Sequence, residues 1–237
     1  MDKSGKLYLV STPIGNLEDI SSRALKILSE VDEVVCEEQR MGSTLMKHFG
    51  IKTPINLLNE HNETKQTPVL IQALQSGQNL ALISDTGTPV FADPGLELVR
   101  GAHRIKAKVI PIPGASSLMS ALVCSGFSLQ EFYYAGFLPR KSQDRLARLK
   151  TLMEIRTLLI FLEAPYRLDA LLKDINKVFK SRTPSVLAMN LTQPNENFFH
   201  GSLGEMLKHF SNHPFKGEFV LMINNKKKSV SVKKRRT

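Results

Sequence analysis

The first half of the chain alternates short apolar runs with longer segments in which apolar residues recur every three or four positions. The short runs have the length of β-strands, and the longer segments have the period of amphipathic helices. Five strands are predicted, at 7–11, 32–38, 55–60, 79–85 and 107–113. Strands and helices in alternation are typical of a mostly parallel sheet that is covered by helices.

Glycine and proline positions support the predicted helices of this half. Gly50 and Gly77 follow two of them directly, at the position where glycine often ends a helix. Asp93 and Pro94 predict an N-cap and a first helical turn after the polar loop that begins at residue 84. A further helix is predicted from Ala115.

The second half has a different order of elements, because two predicted strands follow each other with only a short helix between them. Predicted strands lie at 132–138, 156–163, 185–191, 195–201 and 217–223. Such an order indicates a mixed sheet. The chain is therefore predicted to be an α/β protein of two α/β domains, at 1–114 and 115–225, followed by a basic and disordered tail at 226–237.

Composition and charge narrow the class of protein. Hydrophobic residues make up 42% and charged residues 23% of the 237 residues, as in ordinary globular proteins. No apolar run approaches the ~18 residues of a membrane helix, and the N-terminus has too short an apolar run for a signal peptide, so a cytoplasmic protein without membrane contact is expected. Seven of the ten net positive charges lie between residues 226 and 236, where they indicate either a solvated terminus or a phosphate-binding arm.

The two cysteines carry no metal-binding or disulfide pattern. Cys36 and Cys124 lie in separate apolar runs, without a CxxC or Cys/His spacing. Both are predicted to be buried, reduced thiols, and no metal site is expected.

Small and polar residues follow most of the predicted strands, and in open α/β sheets ligands bind at those carboxyl ends. The most prominent example is SDTGTP at 84–89, which follows an apolar strand. Neither GxGxxG nor GxxxxGK[ST] occurs, and two carboxylates near this loop, Asp85 and Asp93, would repel a phosphate. The loop suits a cationic or hydroxyl-bearing ligand, although each carboxylate is also typical of a turn cap.

Several motifs in order resemble those of the tetrapyrrole methylase family of S-adenosylmethionine-dependent methyltransferases, and within it the branch that modifies ribosomal RNA. The motifs are LYLVSTPIGNLEDIS, SDTGTPVFADPG, PIPGASSLMSAL, GFLPRK, TLLIFLEAPYRL and KGEFVLMI, from Leu7 to about Ile223. The resemblance implies two α/β domains with the methyl donor S-adenosylmethionine in the trough between them, a homodimer, and 16S rRNA in the 30S subunit as substrate, methylated at a cytidine ribose 2′-hydroxyl.

The same resemblance implies a set of cofactor contacts. The glycine and small polar residues at 84–89 would let the backbone approach the methionyl part of the cofactor closely. The alternative is a tight turn with only a packing role. The cofactor-binding residues implied are Pro13, Asp85, Thr86, Gly87, Thr88, Phe91, Ser116 and Ser117, with Glu163 and Leu191 on the adenosine side.

A ribose hydroxyl is a weak nucleophile that needs a base or a stabilising charge. Glu38 or Asp85 is the candidate base, with Lys141 or Arg40 as electrostatic support. His61 is a further candidate, and a loop histidine is also often structural. The candidate substrate-binding residues are Arg40, His61, Asn62, Arg140, Lys141 and Arg167, and a basic helix with Arg145, Arg148 and Lys150 is either an RNA contact or a solvated surface.

Several positions depart from the family pattern, among them Glu38, which stands where this branch commonly has Asp. Tyr166, Asn190 and Gln193 stand where this branch commonly has His, Glu and Lys. These departures cluster near the expected substrate trough and bear on the identity of the substrate. Two alternatives therefore stay open, a methyltransferase that acts on a tetrapyrrole of the uroporphyrinogen or precorrin type, and a non-catalytic relative that binds RNA or the ribosome.

Overall fold

The computed structural model of the chain describes residues 4–226. They form two compact units, of which the first ends at Ser117 and the second begins at Leu118. This division falls three residues after the end of the predicted first domain. Each unit contains one five-stranded sheet.

The first unit is a parallel sheet with helices between its strands, which confirms the predicted α/β class. The strand order is β3-β2-β4-β1-β5, and all four pairings are parallel. Its strands are β1 (Lys6–Val10), β2 (Glu33–Cys36), β3 (Ile55–Leu57), β4 (Leu80–Ile83) and β5 (Lys108–Ile112). Its helices are α1 (Ser22–Glu30), α2 (Gln39–His48), α3 (Glu63–Gln75) and α4 (Leu96–Arg104).

Apolar cores cover both faces of this sheet, which explains the nearly continuous apolar runs of its central strands. Leu7 and Leu80 pair across β1 and β4 and face a core that includes Leu98 of α4. Val10 and Ile83 pair at the other end of the same strands and belong to the core on the opposite face. The two central strands are thereby fixed in register from both sides.

Glycines end two helices as predicted, whereas the predicted start of α4 is wrong. Gly50 and Gly77 have φ angles of 66° and 93°, in the left-handed region that glycine favours. The N-cap of α4 is Gly95, and the helix begins at Leu96. Asp93 does not cap this helix, because its carboxylate accepts a hydrogen bond from the hydroxyl of Ser84.

The second unit contains the predicted mixed sheet. The strand order is β6-β7-β10-β8-β9, in which only the pair β6 and β7 is parallel. Its strands are β6 (Phe132–Gly136), β7 (Leu158–Glu163), β8 (Pro184–Met189), β9 (Asn197–Ser202) and β10 (Phe219–Asn224). The remaining helices are α5 (Ser117–Cys124), α6 (Ser142–Met153), α7 (Leu168–Val178) and α8 (Leu203–Asn212).

One core holds the second sheet to its helices. Phe161 of β7 and Leu221 of β10 lie opposite each other and are fully buried, together with Leu172 of α7. Ser202 caps α8 in a reciprocal arrangement with Glu205, where each side chain accepts a hydrogen bond from the backbone of the other residue. These contacts fix the helices on the sheet and locate the loops at its two ends.

The two cysteines differ in environment. Cys36 is buried as predicted, and burial, assisted by the charge of Asp85, raises its pKa to about 11. Cys124 at the end of α5 is exposed, so the prediction of a buried thiol is wrong there. No helix between residues 4 and 226 combines the length and the apolarity that a membrane span requires.

Candidate active site

In the first unit, the loops that follow β1 and β4 are hydrogen-bonded to each other at the carboxyl edge of the sheet. The backbone amide of Thr12 donates to the carbonyl oxygen of Gly87 over 2.8 Å. The Thr12 hydroxyl donates to the carbonyl oxygen of Ser84 over 3.0 Å. Because β1 and β4 are neighbours in the sheet, these bonds join two loops that are 72 or more residues apart in sequence.

Gly87 has a backbone geometry that favours glycine and little space for a side chain. Its φ angle is +85°, and a Cβ atom there would lie 3.1 Å from Cγ2 of Ile14. The residues on either side, Thr86 and Thr88, are exposed, and the Thr88 hydroxyl accepts a hydrogen bond from Ser11 over 3.3 Å. The loop therefore exposes Thr86 and Thr88 to solvent on either side of a buried glycine.

Short polar side chains form hydrogen bonds inside the same loop. The Ser84 hydroxyl donates to the carboxylate of Asp93 and accepts from the backbone amide of Thr86 over 3.2 Å. The turn after β5 is also close to β1, since a Cβ at Gly114 would lie 2.9 Å from Cβ of Ser11. This turn leads to Ser116 and Ser117, which the structure thus places beside the loop after β1.

The remaining predicted cofactor contacts of the first unit lie in these loops. Pro13 is buried next to Thr12, and Phe91 is 46% exposed, an unusual exposure for an aromatic ring. Asp85 is half-buried between the buried Ser84 and the exposed Thr86. The first unit thus brings its predicted cofactor contacts to one edge of one sheet.

Glu38 and Asp85, the two candidate bases, are in contact. The backbone amide of Glu38 donates to Oδ1 of Asp85 over 3.2 Å, which joins the loop after β2 to the loop after β4. Burial raises the pKa of Asp85, and the charges of Glu38 and Asp93 raise it further against the lowering effect of that hydrogen bond. Burial and the neighbouring charges of Asp93 and Asp85 also raise the pKa of Glu37.

Sequence reasoning gave no role to Glu37, although its position beside the candidate base Glu38 was visible. Glu37 follows the buried strand β2, and the charges of Asp93 and Asp85 in the loop after β4 help to raise its pKa. Glu37 therefore belongs to the same acidic edge of the sheet. Arg40 lies on the exposed side of α2, in its first turn. The described residues contain no group of three or more His, Cys, Asp or Glu side chains that is arranged to hold a metal ion.

Asn62 and His61 lie in the turn between β3 and α3. The Asn62 amide donates to the carbonyl oxygen of Leu57 over 3.1 Å and accepts from the backbone amide of Asn59 over 2.8 Å. These bonds give Asn62 a structural role in the turn, and its predicted role toward substrate stays a prediction. The side chain of His61 is exposed.

In the second unit, Glu163 is a buried carboxylate with one oxygen unpaired among the described residues. Its Oε1 accepts from the backbone amide of Ala164 over 2.9 Å and lies 2.9 Å from Nη1 of Arg167. Its Oε2 is buried without a hydrogen-bond partner. Burial raises the pKa of Glu163 and outweighs the opposing effects of the Ala164 amide and of Arg167.

Arg167 connects this carboxylate to the loop after β6. Its Nη2 donates to the carbonyl oxygens of Leu138 and Pro139, over 3.2 and 3.0 Å. Arg140 and Lys141 follow in that loop and are exposed. Arg167 therefore orders the segment that presents the two predicted substrate-binding cations, while its direct contact with substrate stays a prediction.

The predicted basic helix is only partly available to RNA. Arg145 is buried on α6 and paired with Asp174 of α7, with Nη2 and Oδ2 separated by 2.6 Å. It also donates to the carbonyl oxygens of Pro139 and Arg140, so the expectation that it contacts RNA is wrong. Arg148 donates to the hydroxyl of Tyr133 over 3.2 Å, and Lys150 is exposed.

Three of the departures from the family pattern lie around the same end of the second sheet. Tyr166 is 74% exposed, and Asn190 is buried with a φ angle of 48°. The buried Leu191 follows directly, and the backbone amide of Gln193 donates to the carbonyl oxygen of Asn190 over 3.0 Å. Asparagine tolerates the left-handed region better than glutamate does, which gives the residue at 190 a backbone role.

Comparisons with known proteins agree with this arrangement of motifs. Residues 6–207 match the model of the tetrapyrrole (corrin/porphyrin) methylases, and the chain belongs to this family. The ribosomal RNA small subunit methyltransferase I of Pasteurella multocida is 41% identical over 227 residues, which cover 95% of this chain and 81% of that protein. The enzyme of the same name from Pseudomonas aeruginosa is 43% identical over 203 residues, or 86% and 72% of the two chains.

A solved structure gives the same fold at much lower sequence similarity. The uroporphyrin-III-C-methyltransferase of Thermus thermophilus has a TM-score of 0.63 at 20% identity, with 93% of this chain and 94% of that chain covered. At this identity the likeness shows the fold alone. The chain is thus a methyltransferase-family protein of the tetrapyrrole methylase fold.

Proposed function

We propose that this chain is an S-adenosylmethionine-dependent methyltransferase that methylates a cytidine ribose 2′-hydroxyl of 16S rRNA in the 30S subunit. The observation that carries the proposal is the loop at 84–88, which is hydrogen-bonded to the loop after β1 and contains a buried glycine at a φ angle of +85°, where a side chain is disfavoured. The names of the relatives from Pasteurella multocida and Pseudomonas aeruginosa support ribosomal RNA as the substrate. A homodimer stays a prediction from the family resemblance.

The residues of the first unit fit S-adenosylmethionine in chemistry. Gly87 supplies the positive φ angle that the loop needs, and the exposed Thr86 and Thr88 on either side of it provide hydroxyl groups. The carboxylate of Asp85 suits a cationic ligand. Pro13, Phe91, Ser116 and Ser117 complete the proposed binding set of this unit. When bound, the cofactor would supply a methyl group for transfer from a sulfonium sulfur to an oxygen nucleophile, with the neutral thioether as the leaving group.

The second unit supplies one further feature that suits a ligand with hydrogen-bond donors. Oε2 of Glu163 is buried and has no partner among residues 4–226, and a buried acceptor of this kind is costly unless a donor reaches it. An amino or hydroxyl group of an adenosine would satisfy it. We therefore assign Glu163 and Leu191 to the adenosine part of the cofactor.

Asp85 is the better candidate for the base that accepts the ribose hydroxyl proton. A base works best when its pKa lies near the working pH, and burial raises the pKa of Asp85 toward that range. The amide of Glu38 holds its Oδ1 and thereby orients the carboxylate. Arg40, His61, Arg140 and Lys141 are exposed and are proposed to contact the RNA, with Lys141 or Arg40 stabilising negative charge on the oxygen.

The test is transfer of labelled methyl from S-adenosylmethionine to 30S subunits from a strain that lacks the related methyltransferase, with uroporphyrinogen III assayed in parallel. The proposal expects label at a cytidine ribose 2′-oxygen of 16S rRNA. The variant Gly87→Arg should bind no cofactor and transfer no label while it stays folded. Label in the porphyrin alone would overturn the proposal, and so would cofactor binding without turnover on either substrate, which is the behaviour expected of a non-catalytic relative.

A further inference from the structure

A basic cavity lies at the edge of the second sheet that is opposite to Glu163. Its volume is about 590 Å³, within the range of ligand-binding clefts. It is formed where β7 and β8 begin and β10 ends, and Asn224 pairs there with Leu158. The length of β7, at ~3.4 Å per residue, separates this edge from Glu163 by roughly 17 Å. The lining residues are Met153, Arg156, Phe179, Lys180, Arg182, Thr183, Pro184, Asn224, Asn225 and Lys226.

The cavity is positively charged. Four of its ten lining residues are cations, namely Arg156, Lys180, Arg182 and Lys226, and none is acidic. Among the described residues, the one carboxylate that pairs with any of the four is Glu154, 3.7 Å from Arg156. That pair is largely exposed, and such pairs contribute little. An anion that entered the cavity would relieve the mutual repulsion of these cations.

Hydrogen bonds hold the backbone that carries these cations. The amide nitrogen of the Asn225 side chain donates to the carbonyl oxygens of Met153 and Ile155, over 2.8 and 2.7 Å. The backbone amide of Asn225 donates to Thr157 over 3.2 Å, and the amide of Thr183 donates to Lys180 over 2.8 Å. Hydrogen bonds therefore fix the backbone near these cations, both at the end of β10 and in the turn at 180–183.

The arrangement fits a polyanion better than a single small anion. The cations come from three separate connections of the chain, so the positive charge is spread around the cavity and is not concentrated at one point. The sequence after Lys226 adds six more cations between residues 227 and 236. Phosphates repeat along a nucleic acid and account for most of its attraction to basic surfaces.

We propose that this basic cavity binds the phosphate backbone of the RNA, at the sheet edge opposite to Glu163. The inference rests on the proposed function for the identity of the RNA. Its role is to add affinity that does not depend on the sequence of the RNA, because phosphate contacts fix position and carry no base information. The cavity binds the substrate and takes no part in the chemistry.

The test compares Lys180→Gln/Arg182→Gln with the matched control Lys108→Gln/Lys208→Gln. Both double variants remove two exposed positive charges, and neither Lys108 nor Lys208 lines the cavity. Dissociation constants for the same 30S subunits are measured over a series of salt concentrations. The cavity variant should bind 30S subunits about tenfold more weakly at low salt. A plot of the logarithm of its association constant against the logarithm of the salt concentration should have a slope that is smaller in magnitude by about 2, since each lost phosphate contact removes about one unit.

Further readouts separate this inference from the proposed function. The cavity variant should keep the wild-type affinity for S-adenosylmethionine and the wild-type kcat at saturating 30S, with a raised KM. If the cavity variant binds 30S subunits with the wild-type affinity and salt slope and still methylates them, the inference is overturned and the proposed function stands. If the cavity variant loses the binding of pyrophosphate but keeps the wild-type affinity for 30S subunits, the inference is also overturned, since the cavity would then bind a small anion. A wild-type chain that binds 30S through the cavity but transfers no methyl would overturn the proposed function and support the inference.

Discussion

Arg145 and Asp174 form a buried ion pair between α6 and α7, in which both side chains are at most 5% exposed. Oδ2 of Asp174 accepts from Nε and Nη2 of Arg145, over 3.0 and 2.6 Å. Burial favours a raised pKa for Asp174, but hydrogen bonds from Lys177, Ser142 and Arg145 outweigh it and lower the pKa. The pair thus stabilises the second unit and is not available for RNA.

Breaking this pair should destabilise the second unit. Asp174→Asn leaves the Arg145 guanidinium buried without its counter-charge, and the expected loss is about 3–5 kcal/mol of unfolding free energy. Denaturant unfolding measures this loss. Asp169→Asn is the control, because Asp169 and Lys173 form an exposed pair at 2.7 Å that should contribute less than about 1 kcal/mol. Equal losses in the two variants would contradict the assigned role.

The same pair predicts a pH dependence of stability. The folded-state pKa of Asp174 is lowered, so its contribution is present above the unfolded-state pKa of an aspartate and is lost as pH falls through the folded-state value. The wild-type chain should therefore lose more stability in acid than Asp174→Asn does. Parallel unfolding curves for the two proteins at every pH would contradict this prediction.

Gly87→Ala should weaken cofactor binding more than it weakens the fold. An alanine at φ +85° costs roughly 1–2 kcal/mol, and its Cβ would press on Ile14 within the proposed site. We expect at least about a tenfold weaker affinity for S-adenosylmethionine in titration calorimetry. Gly50→Ala is the matched control, since Gly50 also has a positive φ, of +66°, and no atom within 4 Å of the added Cβ. Both variants should lose similar stability, and unchanged cofactor affinity in Gly87→Ala would argue against the site.

Asp85→Asn tests the proposed base. Loss of a general base lowers kcat by ~10²–10⁴, whereas Glu38→Gln should lower it by less than about tenfold because only the backbone of Glu38 contacts Asp85. The wild-type rate should fall as pH decreases through the raised pKa of Asp85, since the base must be deprotonated. The Asp85→Asn variant should lack this acidic decline. If Glu38→Gln removes the decline instead, Glu38 is the base.

The two thiols should react at very different rates with a disulfide reagent. Cys124 is exposed, whereas Cys36 is buried with a pKa of about 11 and is therefore a poor nucleophile. One equivalent should react rapidly in the folded protein and two in denaturant. Cys124→Ser should abolish the rapid phase, and a rapid phase that survives in this variant would contradict the burial of Cys36.

The alternation of apolar runs was sufficient to predict both sheets, because strand and helix periods differ strongly in these segments. The strand ends were less accurate. β2 stops at Cys36, two residues before the predicted end, since Glu37 and Glu38 already belong to the loop. Such boundaries depend on which backbone groups find partners in neighbouring strands, and a single sequence does not contain that information.

The pairing of Arg145 and the position of Cys124 were beyond sequence reasoning for physical reasons. Asp174 lies 29 positions from Arg145 on a different helix, so no local pattern connects them. The helix SLMSALVC is apolar on most of its sides, and its sequence does not identify the face that carries the exposed Val123 and Cys124. In contrast, the residues of the 84–88 loop were correctly placed at a strand end by their type alone.

The last strand of the second sheet has a consequence for synthesis of the protein. β10 lies between β7 and β8 and pairs with both, although it is made after them. On a translating ribosome, the first unit can close once β5 has emerged, whereas β7 and β8 keep unpaired apolar edges until residue 224 is outside the exit tunnel. During that interval the nascent second unit exposes apolar strand edges that favour aggregation.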